Sequence, residues 1–586
     1  MSQQRGSKRA RSDSMELENE PIAKRTRNLR PLTASESVTT ESCDEWKKIL
    51  EKTAENVTID TLFVACWANR LDVAEVLLRD YEIDINTTDH MGNGLLHDRD
   101  IMSNNGCVQF LLEHGINVDA KNHEDITPLM CACNQGHWQC VQLLLAKNAN
   151  PAVSCKIGNA TALIAACANG HTECVSILLE YNTEIIHQCI KDGSTPLFAA
   201  CHEGQTECVR LILSKDTETI PIPGAGGHTP LIIACSLGHI DCVRLLLDHN
   251  ADISQSDPRG ATSLEKATLN GHADCVSLLL ERGADPNQTD NNGLTPLHAA
   301  CHAGRTECIR LLIDHGAVIL QRSQRGVTPL LMACQQGHTD CVSLLLEKGA
   351  CPNYKYHQNN VSPLYMACYK GHTDCARLLL NHGADINATE IRGFTSLMIA
   401  CEKGNLDCVR LLLEHDADTS LGNLNDATPL FMACQEGYTE CASLILLKSI
   451  ETINTPRNDG ITPLQIACYY GHINCVRLLL EHGADTNDVQ CANFAMENKH
   501  WDIVSLLLTH GAPVEKQYAL LRPQRLRTHE DMCTVCLDPN KELVSFLPCG
   551  HSCCCRDCLV PMVQVGIKCP LCRTTVTDTL FLPKNE

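Results

Sequence analysis

The chain has 586 residues, 44% of them hydrophobic and only 4% aromatic, and a formal net charge of −22 from 70 acidic and 48 basic residues. That length calls for several domains or a repeat array, and the acidic balance disfavours non-specific nucleic-acid binding by the whole chain. No apolar run reaches the ~20 residues that cross a bilayer, and "MSQQRGSKRARSD" at the start lacks the apolar segment of a secretory signal. An intracellular protein with no membrane partner is expected. Its 38 cysteines should then be thiols or metal ligands rather than disulfides.

Residues 1–41 are polar and rich in Ser, Thr and Glu, a composition that predicts a disordered basic tail. They hold "KRAR" at 8–11 and "KRTR" at 24–27, twelve residues apart. The spacing resembles a bipartite nuclear-localisation signal over 8–27, which leaves cytoplasmic and nuclear locations both open; a solvated basic tail would look the same. From 42 to 57 a capping helix is expected: Ser42 and Glu45 make a capping box, with Trp46, Ile49 and Leu50 on one face.

Residues 58–512 repeat. "TPLHAACHAGRTECIRLLIDHGA" at 295–317 lines up with "TPLIIACSLGHIDCVRLLLDHNA" at 229–251. The opening Thr or Ser recurs at 127, 161, 195, 229, 262, 295, 328, 362, 395, 428 and 462, in steps of 33 or 34. Weaker units begin at Thr61 and Gly94, and one shortened by about five residues ends in "WDIVSLLLTHGA", giving thirteen units plus a truncated one. In each, Thr can cap a short helix that Pro opens. That helix stops near Gly, and a second one typically carries Val-x-Leu-Leu-Leu and ends at His-Gly-Ala or a variant of it. One helix pair cannot bury its apolar face, whereas stacked pairs can. The pattern resembles the ankyrin repeat, which implies a mainly α solenoid over about three-quarters of the chain.

Ten cysteines lie six residues after the opening Thr, from Cys133 to Cys468, and twelve lie thirteen after it, from Cys107 to Cys475. Small apolar filling of the inter-repeat core accounts for them. A metal or redox ladder is the other reading. The residues seven and eight after the Thr vary from unit to unit. The ankyrin resemblance puts them on the concave face, where partners bind. Tyr369, Tyr469 and Tyr470 are therefore the candidate contacts to a protein substrate, since exposed Tyr anchors interfaces; ordinary surface variation is the alternative. With units roughly 10 Å apart the array would extend on the order of 100 Å, a span suited to a protein partner.

A linker over 513–531 leads to a cysteine cluster at 532–574. Cys533/Cys536, Cys555/Cys558 and Cys569/Cys572 are C-x2-C pairs, and Cys549 stands one residue from His551. Such turns set two thiolates on one tetrahedral zinc, so four pairs supply ligands for two zinc ions. Cys553 and Cys554 are then spare, although Cys554 replacing Cys555 stays open. The order C-x2-C, x12, C-x-H, x3, C-x2-C, x10, C-x2-C resembles a RING finger, most of all those of inhibitor-of-apoptosis proteins. The resemblance implies a small zinc-bound α+β domain. It interleaves the ligands, with Cys533, Cys536, Cys555 and Cys558 on one ion and Cys549, His551, Cys569 and Cys572 on the other.

It also implies a ubiquitin ligase that positions a ubiquitin-charged conjugating enzyme and forms no covalent intermediate. Val535, Pro570 and Leu571 match the family's docking surface for that enzyme. Arg573 matches the linchpin that bridges conjugating enzyme and ubiquitin. In the tail at 575–586, Phe581 is the candidate for RING homodimer and ubiquitin contact. The expected function is a ligase whose repeats recruit the substrate. A non-enzymatic scaffold with a structural RING is the alternative, and a nucleic-acid-binding zinc protein stands behind both.

Overall fold

The computed structural model describes residues 59–356, 359–513, 543–547, 552–555 and 578–581. The basic tail, the expected capping helix at 42–57 and the linker from 514 onward lie outside them. The chain divides into two compact units, 1–350 and 351–586. Among the described residues the first holds nine helix pairs, from Ile59–Trp67 with Leu71–Asp80 to Pro329–Gln336 with Thr339–Glu347. The second holds five, from Pro363–Lys370 with Thr373–Asn381 to Gln490–Glu497 with Trp501–Thr509, and a three-stranded sheet.

The unit at Thr195 shows why the repeat folds as it does. Thr195 is extended, and its Oγ1 accepts the Phe198 amide at 3.2 Å, satisfying one of the free donors of helix Pro196–Glu203. Gly204 ends that helix at φ 71°, a left-handed conformation in which a Cβ would be strained. The second helix, Thr206–Lys215, buries Cys208, Val209, Ile212 and Leu213, which fall at helical spacing on one face.

Neighbouring units are stitched at one recurring point. The His239 ring lies against Gly204 so closely that a Cβ there would sit 2.5 Å from Nδ1, and Nε2–H donates to the His202 carbonyl at 3.1 Å. Gly136 with His171, Gly238 with His272 and Gly437 with His472 repeat the arrangement. A second stitch survives in fewer units. His298 takes the Thr295 amide on Nδ1 at 3.2 Å and donates from Nε2 to the Val327 carbonyl of the next unit at 3.0 Å. Burial pushes its pKa down to about 4, so the ring is neutral.

Both cysteine registers are interior. Cys201 and Cys208 are fully buried, and of the 28 cysteines within the described residues of 59–513 only Cys189 and Cys351 are exposed. The thiol six after one unit's Thr meets the thiol thirteen after the next unit's Thr, as with Cys133 and Cys174 or Cys434 and Cys475. Burial lifts the Cys167, Cys201 and Cys301 thiols well above their ordinary pKa. They pack as small apolar groups, as the filler reading expects.

One unit departs from the pattern. At Thr262 the sequence runs Ser263, Leu264, Glu265, Lys266, with Thr268 in the cysteine position. Lys266 Nζ pairs with the buried Asp257 carboxylate at 2.9 Å, and Thr268 Oγ1 donates to the Leu264 carbonyl at 2.7 Å. Glu265 has no such partner, and its pKa rises to about 7, chiefly through burial and secondarily through the Asp290 charge.

Candidate functional site

The tyrosines singled out by the repeat comparison stand in the last turns of first helices, just ahead of a left-handed glycine. Tyr369 closes helix Pro363–Lys370 with Lys370 and is 40% exposed. Its ring is flanked by two ammonium groups, Lys370 Nζ at 5.5 Å and Lys403 Nζ of the next unit at 5.4 Å, within cation–π range. Lys403 is also bonded to Glu402 at 2.7 Å, and that bond raises its pKa. Tyr469 and Tyr470 end helix Pro463–Tyr470 at 42% and 51% exposure.

The structure brings Tyr469 and Tyr470 into one aromatic group, edge to face at 5.0 Å. Phe494 of the shortened last unit completes it, meeting Tyr469 edge to face at 5.7 Å, while Tyr470 stacks on His472 at 6.2 Å. Tyr369 sits three units earlier. Two members of this surface escaped the sequence reading. Phe494 belongs to a unit without the opening Thr, so counting from that Thr never reaches it. Tyr438 is 40% exposed and lies ten residues after Thr428, where most units carry the stitching His; its ring covers Gly404.

In the cysteine-rich segment β1 is Leu543–Leu547, β2 is Ser552–Cys555 and β3 is Asp578–Phe581, in the order β2-β1-β3 with both pairings antiparallel. Leu543 pairs with Cys555, Val544 with Cys554 and Ser545 with Ser552. Cys553 therefore falls at the register shift between Val544 and Ser545, a local irregularity of the bulge kind. β2 ends at Cys555, the residue that opens the Cys555/Cys558 pair. Phe581 is the last residue of β3 and is paired with Val544, so 578–581 are bound into this sheet. The other expected ligands, Cys533, Cys536, Cys549, His551, Cys558, Cys569 and Cys572, lie outside the described residues, as do Val535, Pro570, Leu571 and Arg573.

The donor set fits zinc: seven thiol sulfurs and one imidazole nitrogen in four close pairs are the ligand types and spacings of closed, tetrahedral sites. A profile described as "Ankyrin repeats (3 copies)" matches eight overlapping stretches running from 62–155 to 417–490. The chain belongs to the ankyrin-repeat family. A second profile, "Zinc finger, C3HC4 type (RING finger)", matches residues 529–579, so the ankyrin solenoid is followed by a C-terminal RING finger.

Curated relatives resemble the RING region alone. Canine "Baculoviral IAP repeat-containing protein 3" is 43% identical over 68 residues, which is 12% of this chain and 9% of the relative. Rice "Probable E3 ubiquitin-protein ligase XBOS32" is 40% identical over 58 residues, 10% of this chain and 12% of the relative. Mouse "E3 ubiquitin-protein ligase LRSAM1" is 36% identical over 83 residues, 14% and 11% of the two. The match thus spans about a tenth of these relatives' length. Among solved structures, the ankyrin repeat domain of Bcl-3 is 32% identical with a TM-score of 0.33, covering 35% of this chain and 94% of its own. That of human ASB11 is 27% identical with a TM-score of 0.35, covering 38% and 98%.

Proposed function

We propose that the protein is a RING-type ubiquitin ligase in which the ankyrin repeats recruit a protein substrate. The observation that carries the reading is the RING match at 529–579 together with relatives of that segment that bear ubiquitin-ligase names. In this reading Cys533, Cys536, Cys555 and Cys558 hold one zinc ion, and Cys549, His551, Cys569 and Cys572 hold another. The metal supplies folding free energy to a domain too small for a large core. Val535, Pro570 and Leu571 seat the conjugating enzyme. Arg573 bridges that enzyme and ubiquitin through its planar, multi-donor head. Ubiquitin then passes from the enzyme's thioester to a substrate lysine, and the RING contributes positioning rather than a nucleophile.

On the repeats, Tyr369, Tyr469 and Tyr470 are the proposed anchors for substrate, with Tyr438 and Phe494 beside them. Phe581 supports pairing of two RINGs from its place at the end of β3. The basic clusters within 8–27 direct nuclear import.

The test is autoubiquitination of the zinc-loaded full chain with a panel of conjugating enzymes. Wild type should form conjugates, Cys533→Ala should form none, and Arg573→Ala should lose roughly tenfold or more in rate. Folded, zinc-loaded wild type that forms no conjugates with any panel member would refute the ligase and leave the scaffold.

A further inference from the structure

Two successive units, those that begin at Thr161 and Thr195, lack the Gly-Ala or Asn-Ala ending of their neighbours. After helix Thr172–Tyr181 the chain turns through a 3-10 segment, Thr183–His187, and after helix Thr206–Lys215 it runs on as Asp216, Thr217, Glu218. The replacements set His187, Asp216 and Glu218 side by side, each with a ligand atom within 4.8 Å of the others. We propose that these three side chains form a site for one divalent transition ion, best matched by zinc, which ties together the loops of the units that begin at Thr161 and Thr195.

Distance supports this. His187 Nε2 and Asp216 Oδ2 are 3.5 Å apart, beyond the usual 2.7–3.2 Å of an N–H···O bond. Two ligands each about 2.1 Å from a tetrahedral ion are about 3.4 Å apart, so the pair already has the spacing of two donors on one metal. Hydrogen bonding points the same way. Asp216 Oδ1 is committed to the Glu218 amide at 2.9 Å, which aims the other oxygen. That oxygen, Oδ2, is shut off from solvent and accepts no hydrogen bond, an electron-rich atom whose charge a cation would balance.

The loops are also held. Ile185 and Ile186 are buried directly before His187, and Thr219 and Ile220 directly after Glu218. The donors therefore stand on fixed backbone, with only side-chain rotation needed to close Glu218 onto the ion. One imidazole and two carboxylates suit zinc among common divalent ions, and the fourth position would go to water. This site shares no residue with the RING cluster and does not depend on the ligase reading.

The experiment is calorimetric titration of Zn2+ into the full chain, already zinc-loaded at its RING, beside His187→Ala and Asp216→Asn. The side-chain oxygen kept in Asp216→Asn can still accept the Glu218 amide, so the loop is preserved. Wild type should take up one more equivalent than either variant, and zinc should raise its melting temperature while leaving both variants unmoved. Melts that coincide for all three RING-loaded proteins before the added zinc would show that the fold is intact. Equal uptake by wild type and both variants overturns the site, and so does loss in His187→Ala with Asp216→Asn unaffected.

Discussion

Gly437→Ala probes the contact that joins one repeat unit to the next. Gly437 follows helix Pro429–Glu436 at φ 82°, and a Cβ there would lie 2.5 Å from His472 Nδ1 and 2.7 Å from its Cε1. Holding Ala in the left-handed region costs roughly 1–2 kcal/mol. The ring must also move away, and its bond to the Gln435 carbonyl, now 3.0 Å, would be lost. That removes about 1 kcal/mol more, so the total should fall at roughly 2–3 kcal/mol. Gly483 isolates the backbone part: its φ is +81° and no atom lies within 4 Å of the place its Cβ would take. Gly483→Ala should therefore cost only the conformational term.

Repeat arrays lose stability interface by interface, so the assay is urea unfolding combined with hydrogen exchange. Helices Pro429–Glu436 and Ile473–Glu481 should lose protection together in Gly437→Ala. Adding His472→Ala to Gly437→Ala should recover part of the loss. If Gly437→Ala costs no more than Gly483→Ala, the ring-on-glycine contact does not hold the units together and the reasoning fails.

Glu265 should make stability depend on pH near neutrality. Its pKa is raised from 4.5 to about 7, so the native state keeps a proton that the unfolded state releases; stability is then full below 4.5 and falls as pH rises toward 7. The rise corresponds to about 3 kcal/mol, and Glu265→Gln should be more stable than wild type at pH 8 by an amount that vanishes near pH 4. His298, held near 4, works in the opposite sense, losing stability as pH falls from 6.5. A stability difference between wild type and Glu265→Gln that does not change with pH would refute the assignment. Alkylation of the native protein followed by peptide mapping should mark Cys189 and Cys351 and none of the other cysteines between Cys66 and Cys491. Cys301→Ser, which buries a hydroxyl where a thiol packs, should cost about 1–3 kcal/mol, and more than Cys301→Ala.

The repeat architecture was legible because its signals are local. Thr before Pro, Gly past the helix and leucines at helical spacing each act within a dozen residues, and their recurrence every 33 or 34 gave the period. The RING was legible for a related reason, since zinc demands fixed donors at fixed short spacings. Contacts between units were not. Nothing in "EIIHQC" and "KDTETI" says that His187 and Asp216 meet, because the stretch between them, 188–215, must first fold into a helix pair. Glu265 was visible as an oddity of composition, but its raised pKa comes from burial that only packing determines. The pairing of Val544 with Cys554 and of Leu543 with Cys555 was likewise not legible, because it is a matter of register rather than of spacing.

The stitching position carries an argument about how such an array can diversify. It holds His in many units, yet Gln205, Arg305, Asn405 and Tyr438 occupy the same seat against Gly170, Gly271, Gly371 and Gly404. What these residues share is a flat sp2 group, and a glycine without a Cβ offers a flat surface to receive it. The contact therefore selects for shape more than for hydrogen bonding. Arg305 and Asn405 still reach back to carbonyls of the preceding unit, Leu269 and Cys368, whereas Tyr438 covers its glycine and leaves 40% of its surface exposed. A unit can thus exchange an imidazole for a large aromatic surface without opening the interface beneath it. The exposed tyrosines of residues 351–513 gather around such seats, with Tyr470 stacked on His472 and Tyr438 on Gly404. In this array the glycine that fixes the fold also frees the residue above it to vary.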